Sequence, residues 1–276
     1  MSVITLTTDF GNKDHYVGSV KGALYNELNN VNIVDISHNI SPFNIVEAAY
    51  IIENSYKNFP EGSIHIIGVD SEKTIEQSHL VIILDNHYFI CANNGIMSLI
   101  ASKINPEKII EINIHNNIIS TFSVIDVFVK IAAHIYRGGS IDLVGNQIHI
   151  LKELYNLNPI LNEKSNEITG NVIYVDNYDN VVTNISKKIF TEFGKSRSFE
   201  INARNYIFKE IVESYGKAIR FDIKKENRKE IGKKIALFNQ SNYLELSIYK
   251  SNPQTFGGAA SLFGLNYRDV ITIKFN

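Results

Sequence analysis

Val3-Ile-Thr-Leu-Thr-Thr-Asp9-Phe-Gly-Asn-Lys-Asp14-His-Tyr-Val-Gly-Ser-Val-Lys-Gly22 is the stretch that decides the fold. Val3 to Thr8 alternate apolar and small polar side chains, many of them β-branched, and read as a strand. Asp9-Phe10-Gly11 breaks the run. From Tyr16 onward, Tyr16, Val20, Ala23, Leu24 and Leu28 recur at helical spacing. Strand, loop and helix make the first unit of an α/β sheet. Such sheets bind ligands beyond the carboxyl ends of their strands. Asp9 and Asp14 are therefore the first candidate ligand contacts.

The same grammar continues outward. Val31 to Ile36 predicts a second strand, and Ser41-Pro42 is expected to open a helix through Tyr56 with Ile45, Ala48, Ala49 and Ile52 inward. Ser63 to Val69 is a nearly continuous apolar strand, the kind buried on both faces, and it ends at Asp70. His79 to Leu84 and Tyr88 to Cys91 predict two short strands, Ile96 to Ile104 a helix, Lys108 to Ile112 a strand, and Thr121 to Tyr136 a helix ended by Arg137-Gly138-Gly139. This alternation predicts an α/β fold whose N-terminal, mostly parallel sheet is flanked by helices.

Beyond residue 155 the pattern changes. Residues 156–167 read as a linker between an α/β domain at 1–155 and a second domain at 168–276. The second holds short strands at Ile168 to Val175, Val181 to Ile185, Phe199 to Ile201, Tyr206 to Phe208, Ala218 to Phe221, Lys234 to Phe238, Tyr243 to Ser247 and Val270 to Phe275. One short helix, Lys187 to Phe193, interrupts them. Evenly spaced short strands predict a small C-terminal β-barrel or sandwich.

Bulk properties exclude several classes. The chain is 44% hydrophobic and 20% charged, enough to bury a full core. Its 27 Lys+Arg against 29 Asp+Glu leave no basic footprint for nucleic acid. Cys91 is the single cysteine, so no disulfide framework and no cysteine metal site is expected. No apolar run approaches the roughly 20 residues of a membrane span. The start of the chain enters a strand directly, without a signal-peptide pattern, so a cytoplasmic protein is expected.

The phosphate loop, the His-Glu-x-x-His helix and the Gly-x-Ser-x-Gly elbow are absent. What remains is a set of polar residues at strand ends: Asp9, Asp14, Asp70, Asn93, Asn94, Asp126, Asp176 and Asn180. Carboxylates there can accept from ribose hydroxyls or an ammonium group, and amides can read a purine edge. Asp and Asn also serve turns and caps. Val175-Asp-Asn-Tyr-Asp-Asn-Val-Val-Thr-Asn-Ile185 is less ordinary, since a hairpin turn needs two such residues and this one carries more.

Thr-Leu-Thr-Thr-Asp-Phe-Gly-x-x-Asp-x-Tyr-Val-Gly-x-x-Lys-Gly, read together with Asp-x-Tyr-Asp-Asn-Val-Val-Thr-Asn-Ile, resembles the S-adenosyl-L-methionine hydrolases. These are the hydroxide adenosyltransferases related to the fluorinase and chlorinase. Pro42-Phe43, Asn94-Gly95, Thr121-Phe122 and Tyr243-Leu-Glu245 fall in the same family order. The resemblance implies a C-terminal β-barrel and a homotrimer whose nucleoside site lies between one subunit's N-domain and its neighbour's C-domain. It implies S-adenosylmethionine as substrate, with no cofactor and no metal. By position, Asp9 matches the ribose-binding aspartate, Asp14 and Asp176 the ammonium-binding carboxylates, and Asn180 the adenine-reading amide. Phe43 falls beside the ribose, Tyr215 at the adenine-stacking ring, and Gln240 and Ser241 at the methionine carboxylate.

The chain departs from the family where water is activated. Hydrolases of the family carry Asp-Pro-Gly-Val-Gly followed by an arginine, and a His in Thr-Phe-His-Gly-Arg-Asp. Here Asp70 is kept, but Ser71-Glu72-Lys73-Thr74 follows it, and Gln77 stands at the arginine position. Ser123 stands at the histidine position. Asp70, Gln77 and Ser123 are therefore the expected catalytic set, and Lys73, His79 and Lys130 are candidate replacements for the lost cation. Three functions follow: a hydrolase giving adenosine and methionine with altered catalytic partners, a non-catalytic S-adenosylmethionine or adenosine binder, and a halogenase.

Overall fold

The structure, a computed structural model, describes residues 2–114, 120–154, 158–228 and 230–276. The chain divides into two compact units, 1–154 and 155–276. The boundary read at residue 155 and the first linker residues, 156 and 157, lie outside the described residues.

Unit one runs β1 (Val3–Thr8), α1 (Tyr16–Glu27), β2 (Asn32–Ser37), α2 (Ile45–Glu53), β3 (Ile64–Gly68), β4 (His79–Leu84), β5 (His87–Ala92), α3 (Ile96–Ile100), β6 (Lys108–Ile112), α4 (Val129–Tyr136) and β7 (Gly145–Gln147). Its sheet has the order β2-β1-β3-β5-β4-β6-β7. The four strands from β2 to β5 are parallel, and β4, β6 and β7 extend them antiparallel. One face packs Ile4, Leu6, Ile64 and Ile66 against α1 and α4 through Val20, Leu24, Val129 and Ala132. The other packs Leu80, Ile82 and Phe89 against α2 and α3 through Ala48, Ile52, Ile96 and Met97. The chain leaves β1 for β2 on one side, and β3 joins β1 on the other. That change of direction opens a crevice at the carboxyl ends of β1 and β3.

Several helical boundaries differ from expectation: α3 ends at Ile100 and α2 at Glu53, each short of the residue read from the sequence, and two starts are displaced. Ser41-Pro42 does not open a helix: Asn44 N donates to Ser41 O at 2.9 Å, closing a turn, and α2 begins at Ile45. Phe43 in this turn has φ 62°, which a right-handed helix cannot accommodate. Asn44 caps α2 instead, accepting from Glu47 N at 3.2 Å. The helix read from Thr121 starts at Val124 with a π turn, Val124–Phe128, before α4. Such π turns gather at functional sites.

Unit two runs β8 (Ile160–Asn162), β9 (Glu167–Val175), β10 (Val181–Ser186), α5 (Lys187–Gly194), β11 (Phe199–Ala203), β12 (Tyr206–Phe208), β13 (Lys234–Phe238), β14 (Tyr243–Ile248), α6 (Ala259–Phe263) and β15 (Val270–Phe275). The order β12-β11-β15-β9-β10-β14-β13 is antiparallel throughout and forms a nearly closed, barrel-like sheet around Ile168, Val181, Ile201, Leu246 and Ile273. The stretch read as linker contains β8, which pairs with β9. The strand read at Ala218 to Phe221 is not formed. Tyr215–Ala218 is a 3-10 turn, tightened by Lys217 N to Ser214 O at 3.0 Å. Helix α6 was not legible, because its cap comes from afar: Asp179 Oδ2 accepts from Gly258 N and Ser261 N, both at 2.9 Å.

Candidate active site

Register places Thr8 opposite Gly68 across β1 and β3, so Asp9 and Asp70 leave neighbouring strand ends together. They face one cleft of about 550 Å³. Its wall carries three carboxylates (Asp9, Asp70, Glu72), four hydroxyls (Ser71, Ser120, Thr121, Ser123) and an aromatic side made by Phe10, Tyr16, Phe43 and Phe122. Phe10, Tyr16 and Phe122 pack on one another with ring centres 5.4–5.8 Å apart. Gly68 allows Phe10 to close over the end of β3. A Cβ there would meet Phe10, Thr8 and Val124 at 3.1 Å.

Phe43 is held in an unusual way. The Ser41–Asn44 turn has Pro at its second position and a left-handed residue at its third, the place a type II turn reserves for Gly. Asp9 Oδ2 accepts from Phe43 N at 2.9 Å and secures the turn. The ring is left 74% exposed at the cleft. Strain of this kind persists where surrounding structure enforces it, and it gathers at ligand sites.

The segment after β3 is gripped carbonyl by carbonyl. Asn94 Nδ2 donates to Val69 O at 3.1 Å and to Asp70 O at 3.3 Å. Gln77 Nε2 donates to Asp70 O at 2.8 Å and Glu72 O at 2.9 Å. His79 Nε2 lies 3.0 Å from Ser71 O. A carbonyl can only accept, so Nε2 carries the proton. Burial holds the His79 pKa below its ordinary value; the Ser71 carbonyl opposes this, and the charge of Lys73 reinforces it. His79 is therefore a neutral donor, not a replacement cation. Asp70 itself has φ 46°, a conformation the clamp sustains.

Gln77 thus lies behind the cleft wall, with both amide protons committed to the loop. Ser123 is 8% exposed, lines the cleft and precedes the π turn. Lys130 is exposed on α4 and does not line the cleft. Asp14 is exposed in the loop before α1 and lies outside the lining. Glu72 was missing from the residues read as the site, and Asn94, read as a strand-end candidate, holds the loop that carries Asp70. Glu72 had a signal, since it sits in the segment that departs from the family motif.

In unit two, the β9–β10 turn is organised by Asp176. Its Oδ1 accepts from Tyr178 N at 2.8 Å and Asn180 N at 2.9 Å, and its Oδ2 accepts from Asn180 Nδ2 at 2.9 Å. Asn180 is 6% exposed. One amide proton is used, leaving it an acceptor and one donor. That pair complements an adenine edge. Tyr215 OH donates to Glu245 Oε1, which also accepts from Ser247 Oγ at 2.6 Å. Burial raises the Tyr215 pKa; the Glu245 bond and the charges of Glu245 and Asp176 add to this. Asp176, Asn180, Tyr215 and Glu245 therefore form one group. A buried Glu between Leu244 and Leu246 was the signal for the last of these. Gln240 and Ser241 lie elsewhere, in the β13–β14 turn. Val181 pairs with Leu246, three strand residues or about 10 Å from Tyr243, and Gln240 and Ser241 lie beyond Tyr243 in the turn.

Residues 4–145 match the SAM hydroxide adenosyltransferase N-terminal domain, and residues 170–272 match its C-terminal domain. The chain is 30% identical over 282 residues to the (R)-S-adenosyl-L-methionine hydrolase of Methanocaldococcus jannaschii, covering 100% of this chain and 97% of that protein. A 62-residue stretch is 32% identical to a fluorinase of Actinopolyspora mzabensis, 22% of this chain and 21% of that one. The crystal structure of an uncharacterized conserved protein from Thermotoga maritima shares the fold. It has a TM-score of 0.82 at 23% identity over 99% of this chain and 100% of that one. Among the described residues no helix is long and apolar enough to cross a membrane. With both domains matched in order across most of its length, the chain belongs to the SAM hydroxide adenosyltransferase family.

Proposed function

We propose that the protein hydrolyses S-adenosyl-L-methionine to adenosine and L-methionine. The observation that carries the reading is the pair Asp9 and Asp70, set side by side at the switch point of a family-matched α/β unit and facing one cleft. In this reading the second oxygen of Asp9 takes the ribose hydroxyls and Phe43 covers the sugar. Asn180, oriented by Asp176, reads adenine, and Tyr215 stacks on it. Asp14 holds the amino acid end. These groups come together in a homotrimer with the site at the subunit interface, in the cytoplasm.

The chemistry asks little of a cofactor, and none is needed. The sulfonium is already a good leaving group. A water oxygen forms a bond to C5′ while the C–S bond breaks, and its electron pair stays on sulfur as methionine. One water proton passes through Asp70 to solvent. Holding water in line with the C–S bond supplies several kcal/mol of the barrier by orientation. Ser123 offers a hydroxyl to that water, and Gln77 acts by fixing Asp70.

Incubation with S-adenosylmethionine, followed by chromatography for adenosine, tests the reading. Asp70→Ala is expected to lose turnover and keep ligand, and Asp9→Ala to lose ligand. Micromolar binding without any adenosine would leave the protein a binder. Halide added to the same assay is expected to yield no halogenated nucleoside.

A further inference from the structure

The departure from the family motif puts a carboxylate, Glu72, two residues after Asp70 and on the same cleft wall. Its placement is built. Four successive carbonyls, Val69 to Glu72, accept from Asn94, Gln77 and His79, and the last of these bonds is Gln77 Nε2 to Glu72 O at 2.9 Å. A surface loop seldom has each carbonyl answered by a side chain. Here the answering groups come from β4, the approach to it, and the turn before α3. The loop is thereby preorganised, and Asp70 and Glu72 both line a cleft that already holds Asp9. Among the described residues lining the cleft there is no Lys, Arg or His.

We propose that Glu72 is the specificity residue of this cleft, selecting a sulfonium substrate over the neutral thioether of the same shape. The inference rests on the reaction proposed above and names what the loop adds to it. S-adenosylmethionine and S-adenosylhomocysteine share the nucleoside and the amino acid end. They differ by one methyl and one positive charge at sulfur. Asp9 is committed to the Phe43 turn and to the sugar, and Asp70 to water, so Glu72 is the carboxylate left to meet the sulfonium. Two unit charges about 4 Å apart attract by about 1 kcal/mol in water and by several times that near a protein surface. Glu72 is exposed, so its effect lies toward the lower figure and is screened by salt.

The charge argument also fixes where the effect appears in the kinetics. During attack the positive charge moves from sulfur toward the entering water, and the reacting assembly stays singly positive until the proton leaves. A carboxylate at the cleft wall therefore attracts ground state and transition state nearly alike. Such uniform binding shows in KM and not in kcat. Once the proton has gone, adenosine and methionine carry no sulfonium, and this attraction no longer holds them.

The test is calorimetric titration of the full chain with S-adenosylmethionine, S-adenosylhomocysteine and adenosine, for the wild type, Glu72→Gln and Glu72→Asp, at about 50 mM and about 500 mM salt. Expected for Glu72→Gln is a Kd for S-adenosylmethionine raised about five- to tenfold, with the other two ligands within about twofold. Glu72→Asp restores most of the preference, and high salt erases most of it in the wild type. KM rises by the same factor as Kd, and kcat changes by less than about twofold. Equal weakening of all three ligands, or an unchanged preference for the sulfonium, overturns the proposal. Wild-type binding without adenosine overturns the hydrolase reading alone, because the ligand preference is still measured. A wild-type chain that binds no S-adenosylmethionine overturns both.

Discussion

Replacing Phe43 by Gly separates the stability of the Ser41–Asn44 turn from its use. At φ 62° an L residue carries roughly 1–2 kcal/mol of strain that Gly does not. Two terms oppose that gain. Gly adds about 0.4–1 kcal/mol of unfolded-chain entropy. The ring is 74% exposed, so only about a quarter of its roughly 200 Å² is buried, about 1 kcal/mol at 25 cal/mol/Å². The three terms nearly cancel, and the bond from the residue 43 N–H to Asp9 survives because it is backbone. Phe43→Gly should therefore leave Tm within about 4 °C of the wild type. Phe43→Ala keeps the strain and loses the ring, and should melt about 1 kcal/mol below Phe43→Gly. Ligand binding should respond quite differently. Loss of an aromatic face against a nucleoside costs roughly 1–3 kcal/mol, or five- to 150-fold in Kd for adenosine. Differential scanning calorimetry and adenosine titration on the three proteins decide it. A loss of more than about 2 kcal/mol in stability, or an unchanged adenosine Kd, would refute the reasoning.

Acid should destabilise unit one before its carboxylates titrate. Burial, with a smaller contribution from His87, lowers His65 to about 3 from an ordinary 6.5, so the folded state refuses a proton that the unfolded state takes. The stability His65 confers is complete above pH 6.5 and is lost as pH falls toward 3, by about 2 kcal/mol at pH 5; His65→Phe should flatten that slope in denaturant melts. Asn94→Ala strips donors from Val69 O and Asp70 O and an acceptor from Ile96 N, and should cost about 3 kcal/mol by urea melts while lowering kcat through a loosened Asp70. Tyr215→Phe removes one of two hydroxyls on a Glu245 that is 4% exposed and should cost about 1–2 kcal/mol in unit two. Retention of wild-type melting by Tyr215→Phe would show that Glu245 does not depend on that bond.

Much of the fold was legible in the chain because burial repeats at short range. Ile4 and Leu6 alternate with Thr5 and Thr7, and Ile64 to Val69 run apolar but for His65, so each strand announced itself within a few residues. The carboxylates at Asp9 and Asp70 were legible for the same reason, as the first polar residues past those runs. Tertiary structure decided what no local pattern encodes. Ser41-Pro42 looked like a helix start, but the turn's third residue is pushed to positive φ and held there by Asp9, 34 residues away. Gln77 stood in sequence at the place of a catalytic cation, yet its amide holds the backbone of Asp70 and Glu72. Helix α6 waited on a cap from Asp179. Hydrophobic periodicity is a property of neighbours along the chain and survives in the sequence. A hydrogen bond between residues 34 or 79 apart depends on a sheet already assembled, and only the folded chain brings such partners within 3 Å.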